Sequence, residues 1–279
     1  MRDKKKKAFL LAGVLCLALV LNPCQAALCG QEATNSSRLN GAFLCKFGND
    51  FKDVLLSPGH WHKKDVLTFS VLLGTSGLIY ALDKDLYDGV QELKSSSSKD
   101  ASEVITKFGK GGYLAGFMAA LYVSGEVFNS VGLRKTALLS LESFLTTSAV
   151  VLSMKAVFGR ARPGTGKPPN YFRPFSLRTS ETSFPSGDAA GAFAVATTIA
   201  QQTDGFALDI LAYGLAGLVS FFRVHDEKHW PSDVFVGSAL GYFIAHKISS
   251  LNRETSAGQF HVGIQLSSRS RGITLSFSF

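Results

Sequence analysis

Charged residues are scarce in this chain. Asp, Glu, Lys and Arg make up 18% of its 279 residues, whereas hydrophobic residues make up 46%. This balance is more apolar than that of an ordinary soluble domain. Uninterrupted apolar runs of about 20 residues, the length that spans a bilayer, are also few. Hydropathy alone therefore leaves open whether the helices of this chain cross a membrane or pack as a soluble bundle.

Several common site patterns are missing as well. The stretch 164–167 lacks the first glycine of a nucleotide-binding P-loop, and a proline follows its lysine. His60 and His62 have no third metal ligand at a useful spacing, and Tyr87 occupies a ligand position in the calcium-loop-like stretch that begins at Asp83. The net charge of +8 suits anionic headgroups or phosphates, but basic and aromatic residues do not alternate as in nucleic-acid binders. The sequence therefore predicts no metal, no cofactor and no nucleic-acid partner.

Residues 1–26 have the pattern of an export signal. Arg2 and four lysines precede an apolar stretch at 8–21, and Cys24-Gln-Ala26 forms a small-x-small cleavage site. An uncleaved anchor is the alternative, although the apolar stretch is short for a span. The body of the chain is thus expected in the periplasm, or in a membrane with its site on the periplasmic side. Cys29 and Cys45 would remain after cleavage, and the sequence leaves open whether they form a disulfide.

The rest of the chain divides into three parts. Residues 27–60 form an N-terminal segment with an amphipathic helix predicted at 41–56. Residues 61–252 form a helical domain, whose long loop at 164–184 is long enough to be functional. Residues 257–279 alternate with a period of two, which predicts a β-hairpin. Apolar helices are expected in the domain at 67–82, 111–128, 133–157, 189–201, 208–222 and 232–249.

Three residues near the end of the helical domain suggest phosphate chemistry. Arg223, His229 and Asp233 follow one another at intervals of six and four, and Pro231 suits the first turn of a helix. His229 then lies just before this helix and Asp233 within its first turn. From there the carboxylate can bind an imidazole N–H and fix the tautomer, which leaves the other nitrogen free to attack. The Arg223 guanidinium suits phosphate oxygens. A helix-entry loop with a salt-bridged arginine would explain this stretch equally well.

Two further blocks favour the phosphate reading. Lys155 and Arg162 are seven residues apart, which is two helical turns, so both would lie on one face. Pro163 disfavours helix at Arg162 and places its guanidinium at a helix end. Ser186 and Gly187 open an apolar helix, whose free N–H groups and positive dipole end suit a phosphate.

Together these blocks resemble the type 2 phosphatidic acid phosphatase superfamily, which includes lipid phosphatases, bacterial acid phosphatases and vanadium haloperoxidases. The pattern of this superfamily is K-x6-R-P, then P-S-G-H, then S-R-x5-H-x3-D. The chain departs from it at two positions: Phe222 replaces the serine, and Asp188 replaces the second histidine. The matching residues are Lys155, Arg162, Pro163, Pro185, Ser186, Gly187, Arg223, His229 and Asp233.

The resemblance implies an all-α fold, a six-helix bundle with a phosphate site at one end, to which the C-terminal hairpin is appended. It also implies a phosphatase acting on a phosphomonoester or pyrophosphate of a lipid in a membrane. His229, oriented by Asp233, would attack phosphorus and form a phosphohistidine that water hydrolyses, with fixed cations replacing a metal. The phosphate-binding groups would be Lys155, Arg162, Arg223 and the backbone near Ser186 and Gly187. Arg160 is expected to point away from this site.

Asp188 qualifies this expectation, because the family histidine at its position protonates the leaving oxygen. An aspartate can do so only when protonated, and neighbouring cations and a helix N-terminus favour the carboxylate. Activity should therefore be weak at neutral pH, increase toward acid, and favour good leaving groups. Capping of the helix is the alternative role for Asp188, and His225 is another candidate donor.

Two other functions and one loop role stay open. A catalytically weakened protein that binds phosphate or lipid headgroups is one alternative. A vanadate-dependent oxidase is the other, although it normally relies on the same missing histidine. Arg173 and Arg178 of the long loop would either bind substrate or lie in solvent.

Overall fold

In the computed structural model, residues 38–176 and 178–253 are described in full, and residues 260–267 and 270–277 as backbone. The described residues up to Val66 form one compact unit, and those from Leu67 onward form a second. The helices of the described residues are α1 Gly41–Leu56, α2 Lys63–Ala81, α3 Asp83–Glu92, α4 Ser96–Ile105, α5 Gly111–Val127, α6 Val131–Phe158, α7 Gly187–Gln202, α8 Phe206–His225 and α9 Pro231–Leu251.

Short 3₁₀ turns and two strands complete the chain. The turns that matter for the site are Pro163–Thr165 and Thr179–Glu181, both between α6 and α7. The strands β1 Phe260–Ser267 and β2 Ser270–Phe277 pair antiparallel, with Ser267 opposite Ser270. The prediction of a mainly helical chain is confirmed, whereas the six-helix count and the hairpin as a stable element stay predictions.

Helix α7 is central to the second unit and packs against α5, α6, α8 and α9. Its buried face consists largely of alanine, which lets neighbouring backbones approach closely. A Cβ on Gly241 of α9 would lie 2.2 Å from the Ala190 carbonyl oxygen, and one on Gly237 would lie 2.4 Å from that of Ser186. Glycine is therefore required where α9 crosses α7. This crossing brings the first turns of α7 and α9 together, and the Ser186 N–H donates to the Asp233 carbonyl at 2.9 Å.

Several helices are suited to a bilayer. Among the described residues, α6, α8 and α9 are long and apolar enough to cross a membrane, with mean hydropathies of 1.5, 1.6 and 1.3. Helices α2 and α3 meet that test only as a pair, bent by 63° at their break. Large apolar side chains such as Leu211, which is 66% exposed, lie on the outside of the unit. Length, composition and exposed surface therefore all favour a membrane environment.

The serine run at 95–98 begins a helix, with Ser95 as the cap of α4. The Ser98 N–H donates to the Ser95 hydroxyl at 3.1 Å, and the Ser95 N–H donates to the Ser98 hydroxyl at 2.8 Å. Serine competes well for such caps, so a serine run can start a helix. Asp83, the first residue of the calcium-loop-like stretch, is completely buried at the start of α3.

The predicted export signal at 1–26 and Cys29 lie outside the described residues. Cys45 is buried on α1. Cleavage of the signal and the Cys29–Cys45 disulfide therefore stay predictions.

Candidate active site

The candidate site lies where three connections meet: the end of α6 with its following loop, the start of α7, and the link from α8 to α9. Helix α6 ends at Phe158 and is capped by Gly159, whose φ of +61° is the left-handed conformation that glycine adopts without strain. A Cβ there would lie 1.8 Å from the Arg173 carbonyl oxygen, so the loop also needs glycine for its close approach. Arg162 is then fixed by its N–H, which donates to the Ser180 carbonyl at 3.0 Å.

His229 is buried in the link between α8 and α9, at 2% exposure. Its Nδ1 lies 2.7 Å from the carbonyl oxygen of Ser183. A carbonyl can only accept, so Nδ1 carries the proton and Nε2 of the neutral ring keeps its lone pair. Burial holds the pKa of His229 well below its ordinary value, and the positive charges of Lys155, Arg223 and Arg162 lower this pKa further. The imidazole is therefore neutral at neutral pH, as a nucleophile must be.

Asp233 does not hydrogen-bond His229 as expected. Its Oδ2 is 4.0 Å from Nδ1 of the imidazole, which is beyond hydrogen-bond reach. This oxygen instead accepts from the Ser183 hydroxyl at 2.5 Å and from the Trp230 N–H at 2.9 Å. The Ser183 hydroxyl thus donates to the carboxylate, and the Ser183 carbonyl accepts from the imidazole. The control of the tautomer by Asp233 is indirect.

The cations of the first and third blocks lie around this imidazole. Lys155 Nζ donates to the Thr182 carbonyl at 2.5 Å. Among the described residues, the buried Nε of Arg162 has no hydrogen-bond partner, and burial together with the charge of Arg223 lowers the pKa of Arg162. An arginine stays protonated under such shifts. A cluster of three cations with an unsatisfied guanidinium N–H is suited to a phosphate.

The start of α7 supplies fewer ligands than expected. The Ser186 hydroxyl accepts from the Ala189 N–H at 3.4 Å and so caps the helix, while the Ser186 N–H is already bound to Asp233. The Ser186 N–H is therefore not free for a phosphate, whereas the hydroxyl keeps its own proton to donate, and its phosphate contact stays a prediction. Gly187 lies beside Lys155, since a Cβ on it would be 3.7 Å from Lys155 Cε. First-turn N–H groups such as those of Gly187 and Asp188 have no partner within a helix and can bind an anion.

Asp188 lies in the first turn of α7, and the interpretation of it as the helix cap was wrong, because Ser186 caps α7. The Asp188 carboxylate instead forms an ion pair with Arg223, with Oδ2 2.9 Å from Nε. It therefore faces one of the three cations, where a phosphate would also bind.

The alternative proton donor, His225, is buried in a different network. Its Nε2 lies 2.9 Å from the Ser98 hydroxyl of α4, and its Nδ1 lies 3.0 Å from the Asp226 carboxylate. Both ring nitrogens are thus occupied, and the contact with Ser98 ties α8 to α4.

Sequence patterns missed Arg160 and Asp83. Arg160, expected to point away from the site, is 1% exposed and lies 2.6 Å from both Asp83 and Asp233. The partner Asp83 is 77 residues away in sequence, so local spacing gives no sign of the contact. The helical-face argument also fails, because α6 ends at Phe158 and Arg160 lies beyond it.

The long loop is organised around Glu181, which is 2% exposed. Its carboxylate accepts from the Ser176 hydroxyl, and this hydrogen bond lowers the pKa of Glu181 although burial opposes it. Lys167 and Arg173 lie 3.5 and 3.9 Å from the same carboxylate. Arg178 is exposed, and the substrate role of Arg173 and Arg178 stays a prediction. Within the described residues, no cluster of three or more His, Cys, Asp or Glu side chains could hold a metal.

Comparison with known proteins finds a family model that matches part of the chain and solved structures with a similar fold. The sequence model of the PAP2 superfamily matches residues 136–255. A lipid A 1-phosphatase of Porphyromonas gingivalis is 27% identical over 249 residues, which cover 86% of this chain. The chain spans about half of that relative, 49% of its length.

Two solved structures resemble the chain in fold. Aquifex aeolicus LpxE has a TM-score of 0.51 and 21% identity, over 61% of this chain and 95% of its own. A transmembrane PAP2-type phosphatidylglycerolphosphate phosphatase from Bacillus subtilis has a TM-score of 0.54 and 18% identity, over 69% of this chain and 97% of its own. The range matched by the PAP2 superfamily model, residues 136–255, contains every block on which the resemblance rests.

Proposed function

We propose that this protein is a phosphatase that hydrolyses a lipid phosphomonoester or pyrophosphate through a phosphohistidine at His229. One observation carries the proposal: a buried imidazole, held neutral and fixed through Nδ1, lies among three cations. A neutral nucleophile next to fixed positive charge is the arrangement that phosphoryl transfer requires.

The reaction has two steps. Lys155, Arg162 and Arg223 bind the phosphoryl oxygens, and Nε2 of His229 attacks phosphorus. The phosphorus–oxygen bond to the leaving group breaks, and that oxygen takes up a proton. Water then attacks the phosphohistidine, the nitrogen–phosphorus bond breaks, and phosphate and the neutral imidazole are released. The buried cations neutralise the charge that develops on the phosphoryl oxygens in both steps.

This site has a poor proton donor for the leaving oxygen. Asp188 is ion-paired with Arg223, and a carboxylate in such a pair is an acceptor only. To donate, Asp188 must bind a proton and release Arg223. Turnover is therefore expected to increase toward acid, and substrates with good leaving groups, such as pyrophosphates and aryl phosphates, are favoured at neutral pH.

A lipid is the substrate class that fits the remaining features. The apolar helices and their exposed side chains favour a membrane, and the relatives named above include a lipid A 1-phosphatase and a phosphatidylglycerolphosphate phosphatase. The six-helix bundle would consist of α2, α5, α6, α7, α8 and α9, the elements that contain the six apolar runs. The export-signal pattern of residues 1–26 favours a site on the exported side of the membrane.

The test is phosphate release by the purified full-length chain. The panel contains phosphatidic acid, an isoprenyl pyrophosphate and a soluble aryl phosphate. His229→Ala should lower turnover by about 10³-fold or more, whereas His62→Ala, which removes an exposed histidine, serves as the control and should not. Full activity in His229→Ala would refute the mechanism.

The same panel separates the alternatives. Binding of phospholipid without turnover by the wild type would indicate a headgroup-binding protein. Halide oxidation with vanadate and peroxide would indicate an oxidase.

A further inference from the structure

A second layer of buried charge lies behind the candidate nucleophile. Arg160 is 1% exposed, and its partners Asp83 and Asp233 are completely buried. One guanidinium nitrogen of Arg160 lies 2.6 Å from Asp83 Oδ2, and the other lies 2.6 Å from Asp233 Oδ1. The phosphatase mechanism proposed above does not use Arg160 or Asp83. Burying three charges is costly, and a buried ion pair is by itself weak evidence for a stabilising role.

The contacts form a continuous path to the imidazole. Asp83 fixes Arg160, Arg160 fixes Asp233, and Asp233 Oδ2 accepts from the Ser183 hydroxyl at 2.5 Å. The carbonyl of Ser183 then accepts from Nδ1 of His229 at 2.7 Å. Each link joins groups that are almost completely buried, so solvent does not compete for them.

Arg160 is itself held in one orientation. Its Nε donates to the Pro169 carbonyl at 2.8 Å. The rings of Tyr80, Phe172 and Trp230 surround the guanidinium, with centroids at 5.0, 5.5 and 5.7 Å from its central carbon. A planar fork of five donors can bridge two carboxylates and a carbonyl at once, and a lysine ammonium cannot reproduce this geometry.

Asp83 also attaches this network to the helices. It lies at the break between α2 and α3, and its Oδ1 accepts from the Ser232 N–H at 2.8 Å. That N–H belongs to the first turn of α9, whose N–H groups have no acceptor within the helix. The carboxylate therefore fixes the first turn of α9, the element that carries Asp233, to the α2–α3 break.

We propose that Asp83 and Arg160 are positioning residues of the phosphatase: they hold Asp233 and Ser183 so that Nε2 of His229 stays aligned with phosphorus. This inference rests on the proposed function. Neither residue touches the substrate, so both act through the orientation of His229. The loss of either should lower the rate of the bond-forming step and leave the binding of phosphate to Lys155, Arg162 and Arg223 unchanged.

Asp83→Asn and Arg160→Lys test this, with Asp85→Asn and Arg253→Lys as exposed controls. The two test variants should lose about 10- to 100-fold in kcat, the range found when groups that orient a reactive side chain are removed, with KM within about twofold of the wild type. The controls should match the wild type. Wild-type kcat in folded Asp83→Asn and Arg160→Lys would overturn the proposal.

Vanadate separates positioning from a merely structural role. Bound vanadate mimics the five-coordinate transition state only when it bonds to the imidazole, whereas inorganic phosphate binds through the cations alone. Vanadate affinity should therefore fall in parallel with kcat, while inhibition by phosphate should not change. Equal loss of both affinities would indicate a distorted site and would contradict the proposal.

Ser183→Ala keeps the test decisive if the charge variants do not fold. It removes one hydroxyl, leaves both ion pairs in place, and interrupts the path between Asp233 and the Ser183 backbone. It should lower kcat and vanadate affinity by about 10-fold or more, and wild-type values would overturn the proposal. Vanadate binding needs no turnover, so a wild type that releases no phosphate would refute the proposed function while this readout still tests positioning.

Discussion

The charge of Asp188 can be isolated with Asp188→Asn, which keeps the shape of the side chain and removes the negative charge. Asp188 Oδ2 lies 2.9 Å from Nε of Arg223, and the two side chains are 27% and 10% exposed. Arg223 is one of the cations proposed to bind phosphate. The carboxylate and the phosphate would therefore share this guanidinium and repel each other.

The repulsion can be worked out from this geometry. A phosphate oxygen bound to Arg223 at about 2.8 Å lies roughly 5–6 Å from the carboxylate. At an effective dielectric constant of about 20, two unit charges at this separation interact by about 3 kcal/mol. The partial exposure of Asp188 allows solvent and salt to screen this interaction to roughly 1–2 kcal/mol. Removal of the charge should then tighten phosphate binding by about 5- to 30-fold.

The assay is competitive inhibition by inorganic phosphate at neutral pH, with Asp85→Asn as the exposed control. The inhibition constant of Asp188→Asn should fall by the factor above, and that of the control should not change. An unchanged or larger constant in Asp188→Asn would refute the reasoning, because it would mean that the carboxylate does not act on bound phosphate.

Leaving-group chemistry gives an independent check on Asp188. Asp188→His should increase turnover of alkyl phosphates at neutral pH by about 10²-fold, since it supplies a donor. If the natural protein turns over alkyl phosphates rapidly at neutral pH and Asp188→His lowers this turnover, Asp188 is a competent acid and the reasoning is refuted.

Three further predictions concern pH, packing and the buried ion pairs. Because the pKa of His229 is well below its ordinary value of about 6.5, its neutral form is lost only as pH falls through that lowered pKa. The acid limb of kcat/KM for an aryl phosphate should therefore lie below pH 6.5, and a limb at or above it would contradict the assignment. Gly241→Ala should destabilise the protein by about 1–3 kcal/mol; Gly214→Ala, with no atom within 4 Å, should not, and equal thermal midpoints would argue against the close crossing. Arg160→Met should cost about 3–5 kcal/mol by leaving two buried carboxylates unpaired, and an unfolding midpoint equal to that of Arg253→Met would contradict this.

Local rules predicted the elements of the site well. Pro231 indicated the start of α9, and the structure begins this helix there, with His229 before it and Asp233 in its first turn. The spacing of Lys155 and Arg162 was interpreted as two turns of one helix, and that interpretation was wrong. Helix α6 ends at Phe158, so a left-handed glycine and the following loop bring Arg162 back, and not a second helical turn.

Long-range contacts explain what could not be predicted. Asp83 and Arg160 meet across 77 residues. No local pattern therefore predicts that these two charges are buried against each other. The carbonyl that fixes His229 belongs to Ser183, 46 residues away, and a backbone group has no signature in the sequence. The capping of α7 by Ser186 instead of Asp188 depends on where the helix begins within two positions, which sequence patterns do not resolve.

Direct detection of the phosphorylated residue is the sharpest test of the account. The wild-type chain is mixed with an aryl phosphate labelled in its phosphoryl group and quenched in base, in which phosphohistidine survives, and the labelled peptide is mapped by mass spectrometry. We expect the label on His229, and no labelled peptide from His229→Ala. Label on another residue, or rapid phosphate release by His229→Ala, would contradict the central claim.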